Sequence, residues 1–211
     1  MEEFGTVGGG KGNSSGSGAT VGGGMTNTAS GNEATVGGGF RNTASGIESA
    51  VGGGNHNTAG GYYATIAGGL YNEASNNGAG VGGGNVNQAT GFCSTVPGGQ
   101  DNLAQGNYSL AVGRRAKALH DGAFVWADST DAEFASTAPN QFLVRANYGT
   151  KIVREVSGFS FTHAALQVDY GGSSEAAWFY NANANNNSAV LRVLKQPAPG
   201  SSARRSTVGA D

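Results

Sequence analysis

The chain has 211 residues, a formal net charge of -2, 39 glycines, 37% hydrophobic residues and only 12% charged ones. That balance leaves no basic footprint for nucleic acid or an anionic membrane, and no apolar run reaches the length of a spanning helix. It is also too lean for an ordinary hydrophobic core, so periodic order is expected rather than a conventional globule.

The N-terminus, Met-Glu-Glu-Phe-Gly, has neither a basic n-region nor an apolar h-region and reads as lacking a secretory leader. Repetition begins almost at once. Residues 20–61 read TVGGGMTNTASG, TVGGGFRNTASG and AVGGGNHNTAGG, separated by three linking residues, which is a period of fifteen. A fixed period marks units that bury their apolar face only by stacking on each other. Aligning on the apolar position gives an expected core of Val7, Val21, Val36, Val51, Ile66, Val81, Val96 and Val112, spaced by fourteen, then by fifteen, and finally by sixteen. Asn13, Asn27, Asn42, Asn57, Asn72, Asn87 and Asn102 keep the same beat. Each is followed two residues later by alanine, from Ala29 to Ala104, except that Ser15 takes this place in the first coil, which therefore reads as an irregular cap.

Side chains alternate faces along a strand, so Ala19, Val21 and Gly23 share one face and Asn27, Ala29 and Gly31 another. Each coil thus predicts two short strands with tiny inward residues, and the whole a flattened β-solenoid. The glycines either leave room for a close neighbour or serve corners that need φ > 0. The asparagines form a ladder between coils or simply supply turns. Burying one Val per coil gives roughly 1.5 to 3 kcal/mol, whereas fixing each backbone residue costs about 1 to 2 kcal/mol. A single coil cannot fold alone, and so thin a stack is expected to gain stability from side-by-side association of several chains.

The units SG-x-x-A-T-V-GGG-x-x-N-x-A and the closing NYSLAVGRRAKALHDGAFVWAD resemble the head repeats of trimeric autotransporter adhesins and related bacteriophage tail fibres, over roughly residues 5–128. The resemblance implies an all-β fold: a left-handed parallel β-roll of about eight 14–16-residue coils, homotrimeric about a threefold axis, with a role in surface attachment. The expected organisation is a repeat head over 1–112, a neck over 113–140 holding Phe124, Trp126 and Phe134, an intertwined trimeric strand region over 141–196, and a Pro/Ser-rich tail over 197–211. NQFLVRANYGTKIV, ALQVDYGG and AAWFYNANANNNSAVLRVLK supply the strand candidates of the third part. The missing leader and membrane barrel tilt expectation toward a phage-type or injection-machine fibre, a virion or extracellular surface structure.

The variable positions fall at the corners. One corner carries Met25, Phe40, Asn55, Leu70, Asn85 and Gln100; the other carries Ile47, Tyr62, Tyr63 and Phe92 among polar residues. An apolar corner implies a partner, either the other chains at the threefold axis or a receptor or glycan met by aromatic platforms.

Other chemistry is weakly signalled. Residues 5–11 imitate a phosphate loop, but Gly12 stands where a Mg²⁺-binding hydroxyl is needed, and no helix is expected to follow. Calcium-binding turns lack their aspartates. His56, His120 and His163 lie far apart, Cys93 is alone and reads as a small packing residue, and Asp128, Asp131 and Glu133 cluster without a nucleophile elbow or oriented base. No catalytic residue, cofactor or metal is therefore expected. The partners expected are two further copies of the chain, a cell-surface glycan or protein receptor, and other fibre or baseplate proteins. Two rival functions remain: a polysaccharide-cleaving fibre, with carboxylates paired between chains, and an ice-binding solenoid, for which Thr6, Thr20, Thr35, Thr65 and Thr95 recur outward with a second rank at Thr28, Thr43 and Thr58.

Overall fold

The structure, a computed structural model, describes residues 4–148. Among these there is no helix, and every strand pairs in parallel. Each coil contributes one short strand to each of two sheets, of two residues in the coils up to Thr95–Val96. The first sheet runs Thr6–Val7, Thr20–Val21, Thr35–Val36, Ala50–Val51, Thr65–Ile66, Gly80–Val81 and Thr95–Val96. It continues through Leu110–Arg114, Phe124–Ala127 and Phe142–Arg145. The second sheet takes nine strands, from Ser14–Ser15 to Phe134–Ala135, so the chain makes about nine solenoid turns.

The register is one repeat per rung: Thr20 pairs with Thr35 and Val21 with Val36, while in the second sheet Thr28 pairs with Thr43 and Ala29 with Ala44. The core between the sheets is as thin as the sequence implies. Val21, Val36, Val51, Ile66 and Val96 are fully buried against Ala29, Ala44, Ala59, Ala74 and Ala89. Val7, in the first described coil, is 43% exposed.

The asparagines are a ladder. Asn27, Asn42, Asn57, Asn72, Asn87 and Asn102 are all buried. Asn42 Nδ2 donates to the Gly38 carbonyl in its own coil at 2.9 Å and to the Gly54 carbonyl in the next at 2.8 Å. Its Oδ1 accepts from the backbone N–H of Asn57 at 3.0 Å. The same bonds recur at Asn27, Asn57, Asn72 and Asn87. One amide thus closes its own corner and ties it to the next coil, at about 0.5 to 1.5 kcal/mol per bond. The turn itself is made by the preceding residue, which lies in the left-handed region at Arg41, His56, Tyr71 and even Val86.

Both roles expected of glycine meet at Gly54, and neither applies to its neighbour Gly53. Gly54 has φ near +89°, and a Cβ there would sit 2.2 Å from the Gly69 carbonyl oxygen. At Gly53 a Cβ would meet nothing closer than 4.0 Å.

Two expectations are corrected. Val112 is not a core rung: Thr95 pairs with Leu110, so fully buried Ala111 occupies the position and Val112 points outward, half-buried. Nor does the coil register end there. Ala111 pairs with Val125 and Val125 with Leu143, so the ladder passes through the segment expected to form a neck and through the first residues assigned to the shaft. The period stretches only in the last turn, where residues 128–133 bulge out as a loop. Arg145 holds that loop, donating to the Ala132, Glu133 and Thr130 carbonyls at 2.8, 3.3 and 3.1 Å and to Asp128 Oδ1 at 3.1 Å. The strand candidates ALQVDYGG and AAWFYNANANNNSAVLRVLK, and the tail over 197–211, lie outside the described residues.

Candidate functional site

The solenoid leaves four long surfaces on which chemistry could be carried: two corners and the outer faces of the two sheets. The first corner is tighter than a free loop. Met25, Phe40, Asn55, Leu70, Asn85 and Gln100 form a chain of single-residue parallel bridges, so their side chains project from a third short ladder. The left-handed residue that follows each of them brings larger groups together. His56 sits edge-on to Phe40 at 5.6 Å and tilted against Tyr71 at 4.9 Å, with the Arg41 guanidinium 4.9 Å over the Phe40 ring.

The second corner is an exposed aromatic ridge. Tyr62 and Tyr63 project side by side, Phe92 follows two coils on, and Tyr108 stands edge-on to Phe92 at 5.5 Å. Ile47 is half-buried at its start. Tyr71 lies on the first corner at the phase of Arg41 and Asp101, and Tyr108 on the second corner at the phase of Glu48 and Tyr63; each has a left-handed backbone. Cys93 belongs to the phase of Tyr108 too, and is an exposed corner residue rather than a packing one.

The outer face of the first sheet changes character along its length. Thr6, Thr20, Thr35, Ala50, Thr65, Gly80 and Thr95 point out in register, and the row continues as Leu110, Phe124 and Phe142. Two residues further along each strand, a second row passes from glycines through Ala67 and Pro97 to Val112, Trp126 and Val144. Phe124 and Phe142 stack at 4.7 Å. Phe124 and Trp126, expected in a neck, are thus outward residues of the ladder, and Phe134 packs beneath the Arg145 guanidinium at 5.3 Å. The second threonine rank, Thr28, Thr43 and Thr58, lies on the opposite sheet. The two ranks do not make one flat surface.

The charged residues near the last turns neutralise one another. Arg115 reaches Asp101 at 3.4 Å and Asp131 at 3.1 Å, Arg114 reaches Asp131 at 3.0 Å, and Lys117 bonds Asp101 at 2.9 Å. Asp128 is set apart by its hydrogen bonds: the Asn147 N–H above all, then Thr130 and Arg145, stabilise its carboxylate and lower its pKa to about 2. A carboxylate so held is a structural anion rather than a proton donor. His120 bonds Ser136 Oγ at 2.9 Å, and no group of three metal-ligating side chains assembles among the described residues. His163 lies outside them. Gly8 to Lys11 lead into the strand Ser14–Ser15, not into a helix.

Over the described residues these features define a parallel β-solenoid repeat protein. Compared with known proteins, the chain matches no family model and no curated sequence.

Proposed function

We propose that the protein is a homotrimeric fibre segment, a left-handed β-roll that presents or supports an adhesive surface on a virion, an injection machine or a cell. One observation carries this reading. Buried Val, Ala and Asn repeat through the turns while the large variable side chains gather at the corners, a division between a spacer that must be reproduced and positions free to meet a target. The aromatic ridge at Tyr62, Tyr63, Phe92 and Tyr108 is the surface offered to a glycan or protein receptor, since exposed Tyr and Phe supply contact area at low entropic cost. Light scattering on the full chain should give three times the monomer mass. Labelled protein should bind receptor-bearing cells or an arrayed glycan, and Y62A/Y63A/Y108A should lose that binding with the oligomer intact. Binding unchanged in the triple variant removes the ridge from the function; release of reducing sugar from a polysaccharide, or thermal hysteresis in a freezing assay, would move the protein to one of its rival classes.

A further inference from the structure

Four of the six lysines and arginines among the described residues, Arg114, Arg115, Lys117 and Arg145, are held by carboxylates. Arg41 is not. Its only hydrogen-bond contact among those residues runs from Nη1 to His56 Nε2, at 3.4 Å. The acid at its own phase, Asp101, stands four coils along and is engaged by Arg115 and Lys117. That separation is about 19 Å at about 4.8 Å per coil, a range over which salt screens most of the attraction. Lys11 lacks a carboxylate as well, but no aromatic ring lies under its ammonium among the described residues.

Arg41 is also held in place. Arg41, His56 and Tyr71 share a backbone φ of 54° on three successive coils. The His56 N–H donates to the Phe40 carbonyl and the Tyr71 N–H to the Asn55 carbonyl, both at 3.0 Å, so the backbone beneath the cluster is fixed before any ligand arrives. The side chains then orient one another. A guanidinium only donates, so His56 Nε2 is the acceptor and the ring proton sits on Nδ1, facing Asn55 Oδ1. Asn55 thereby sets the imidazole, and the imidazole and the Phe40 ring set Arg41, whose remaining N–H groups meet no acceptor among the described residues. Tyr71, packed on the far side of His56, is 52% exposed.

We propose that this stretch of the first corner is a binding site for a carboxylated saccharide, one containing a uronic or a sialic acid. The open side of the Arg41 fork matches a carboxylate with two parallel hydrogen bonds. The Tyr71 ring offers the C–H face of a pyranose an apolar platform with a hydroxyl at its rim. Two coils separate the cation from that platform, about 10 Å, the reach of an acidic sugar and the sugar linked to it. A phosphate or an acidic peptide would use the fork and leave the ring idle. The site goes beyond the adhesive reading, which gives receptor contact to the second corner, and it is complete within one chain whether or not that chain is a trimer.

Surface plasmon resonance on the immobilised full chain tests it, with sialyllactose, trigalacturonic acid, lactose and an oligoglutamate peptide as probes. One of the two acidic sugars should bind and lactose should not; a response to sialyllactose identifies a sialic acid, a response to trigalacturonic acid a uronic acid. R41Q should weaken that binding at least about tenfold. R41K, which keeps the charge and loses the fork, should recover only part of it. Y71S should weaken it several-fold with no change of charge, whereas K11Q, which removes the same charge from the same corner, should bind as the parent does. Circular dichroism should show the parent's fold in each, since Lys11, Arg41 and Tyr71 are all exposed. The site is overturned if neither acidic sugar binds the parent, if lactose binds as tightly as the acidic sugar, if the peptide binds more tightly, or if R41Q does no more than K11Q. None of these results bears on the mass from light scattering or on the Tyr62 and Tyr63 ridge.

Discussion

Asn42 shows why a side chain that looks like a turn former is buried at every rung. Its amide spends its hydrogens on glycine carbonyls of its own coil and the next, and its oxygen accepts the Asn57 N–H of that same next coil. Those carbonyls are reachable only if nothing stands beside them, which is what Gly54 secures: its own Cβ would lie 2.2 Å from the Gly69 oxygen and 2.7 Å from Asn57 Nδ2. G54A should therefore destabilise the solenoid severely, by roughly 3 kcal/mol or more from lost ladder bonds and left-handed strain. G53A, one residue away in open space, should fall within about 1 kcal/mol of the parent. Equal melting temperatures for the two would contradict the ladder. Ser94 points the other way. Its hydroxyl is buried without a partner, as are those of Ser49 and Ser109, while Ala34, Ala64 and Ala79 fill the equivalent place in other coils. S94A should raise stability by about 1 kcal/mol, read from denaturant midpoints, because an unsatisfied buried hydroxyl is removed without opening a cavity.

At the scale of the element, the last turn holds together differently from those before it. Its ladder is spliced through the 128–133 loop by Arg145, which bonds three carbonyls of that loop, and by Asp128, which accepts from Asn147 and Arg145. The Asp128 pKa is depressed to about 2 by those donors. The unfolded carboxyl titrates near 3.9, so its contribution is fully present above pH 4 and disappears as the pH falls through 2. Amide exchange around residues 142–145 should accelerate over that window, whereas D128N should exchange faster already at neutral pH and vary less as acid is added. Acceleration shared equally by the central coils would assign the effect to other carboxylates. None of this was legible in the sequence. Asp128 and Arg145 are seventeen residues apart with no motif between them, and hydrogen bonds to loop carbonyls leave no compositional trace.

For the whole molecule, the fifteen-residue period was legible because stacked coils must put the same residue types at the same height. Val21, Asn27 and Ala29 announce themselves at every repetition, and with them the two strands per coil. The signal failed where the repeat changes chemistry without changing geometry. At Val96 the next rung is Ala111, and an alignment on valine slips by one residue to Val112. Large aromatics at Phe124 and Trp126 then resemble the start of a new core, although they decorate the outside of the old ladder. The corners were readable as variable positions; the meeting of Arg41, His56 and Tyr71 became visible only once register had set their three coils side by side.

The Asn ladder has one more consequence. Because each rung satisfies its neighbours with identical bonds, a coil added or removed within the array leaves every junction as it was. The length of the array can therefore change by one in-frame duplication at a time, in steps of about 4.8 Å, without redesign of the remaining coils.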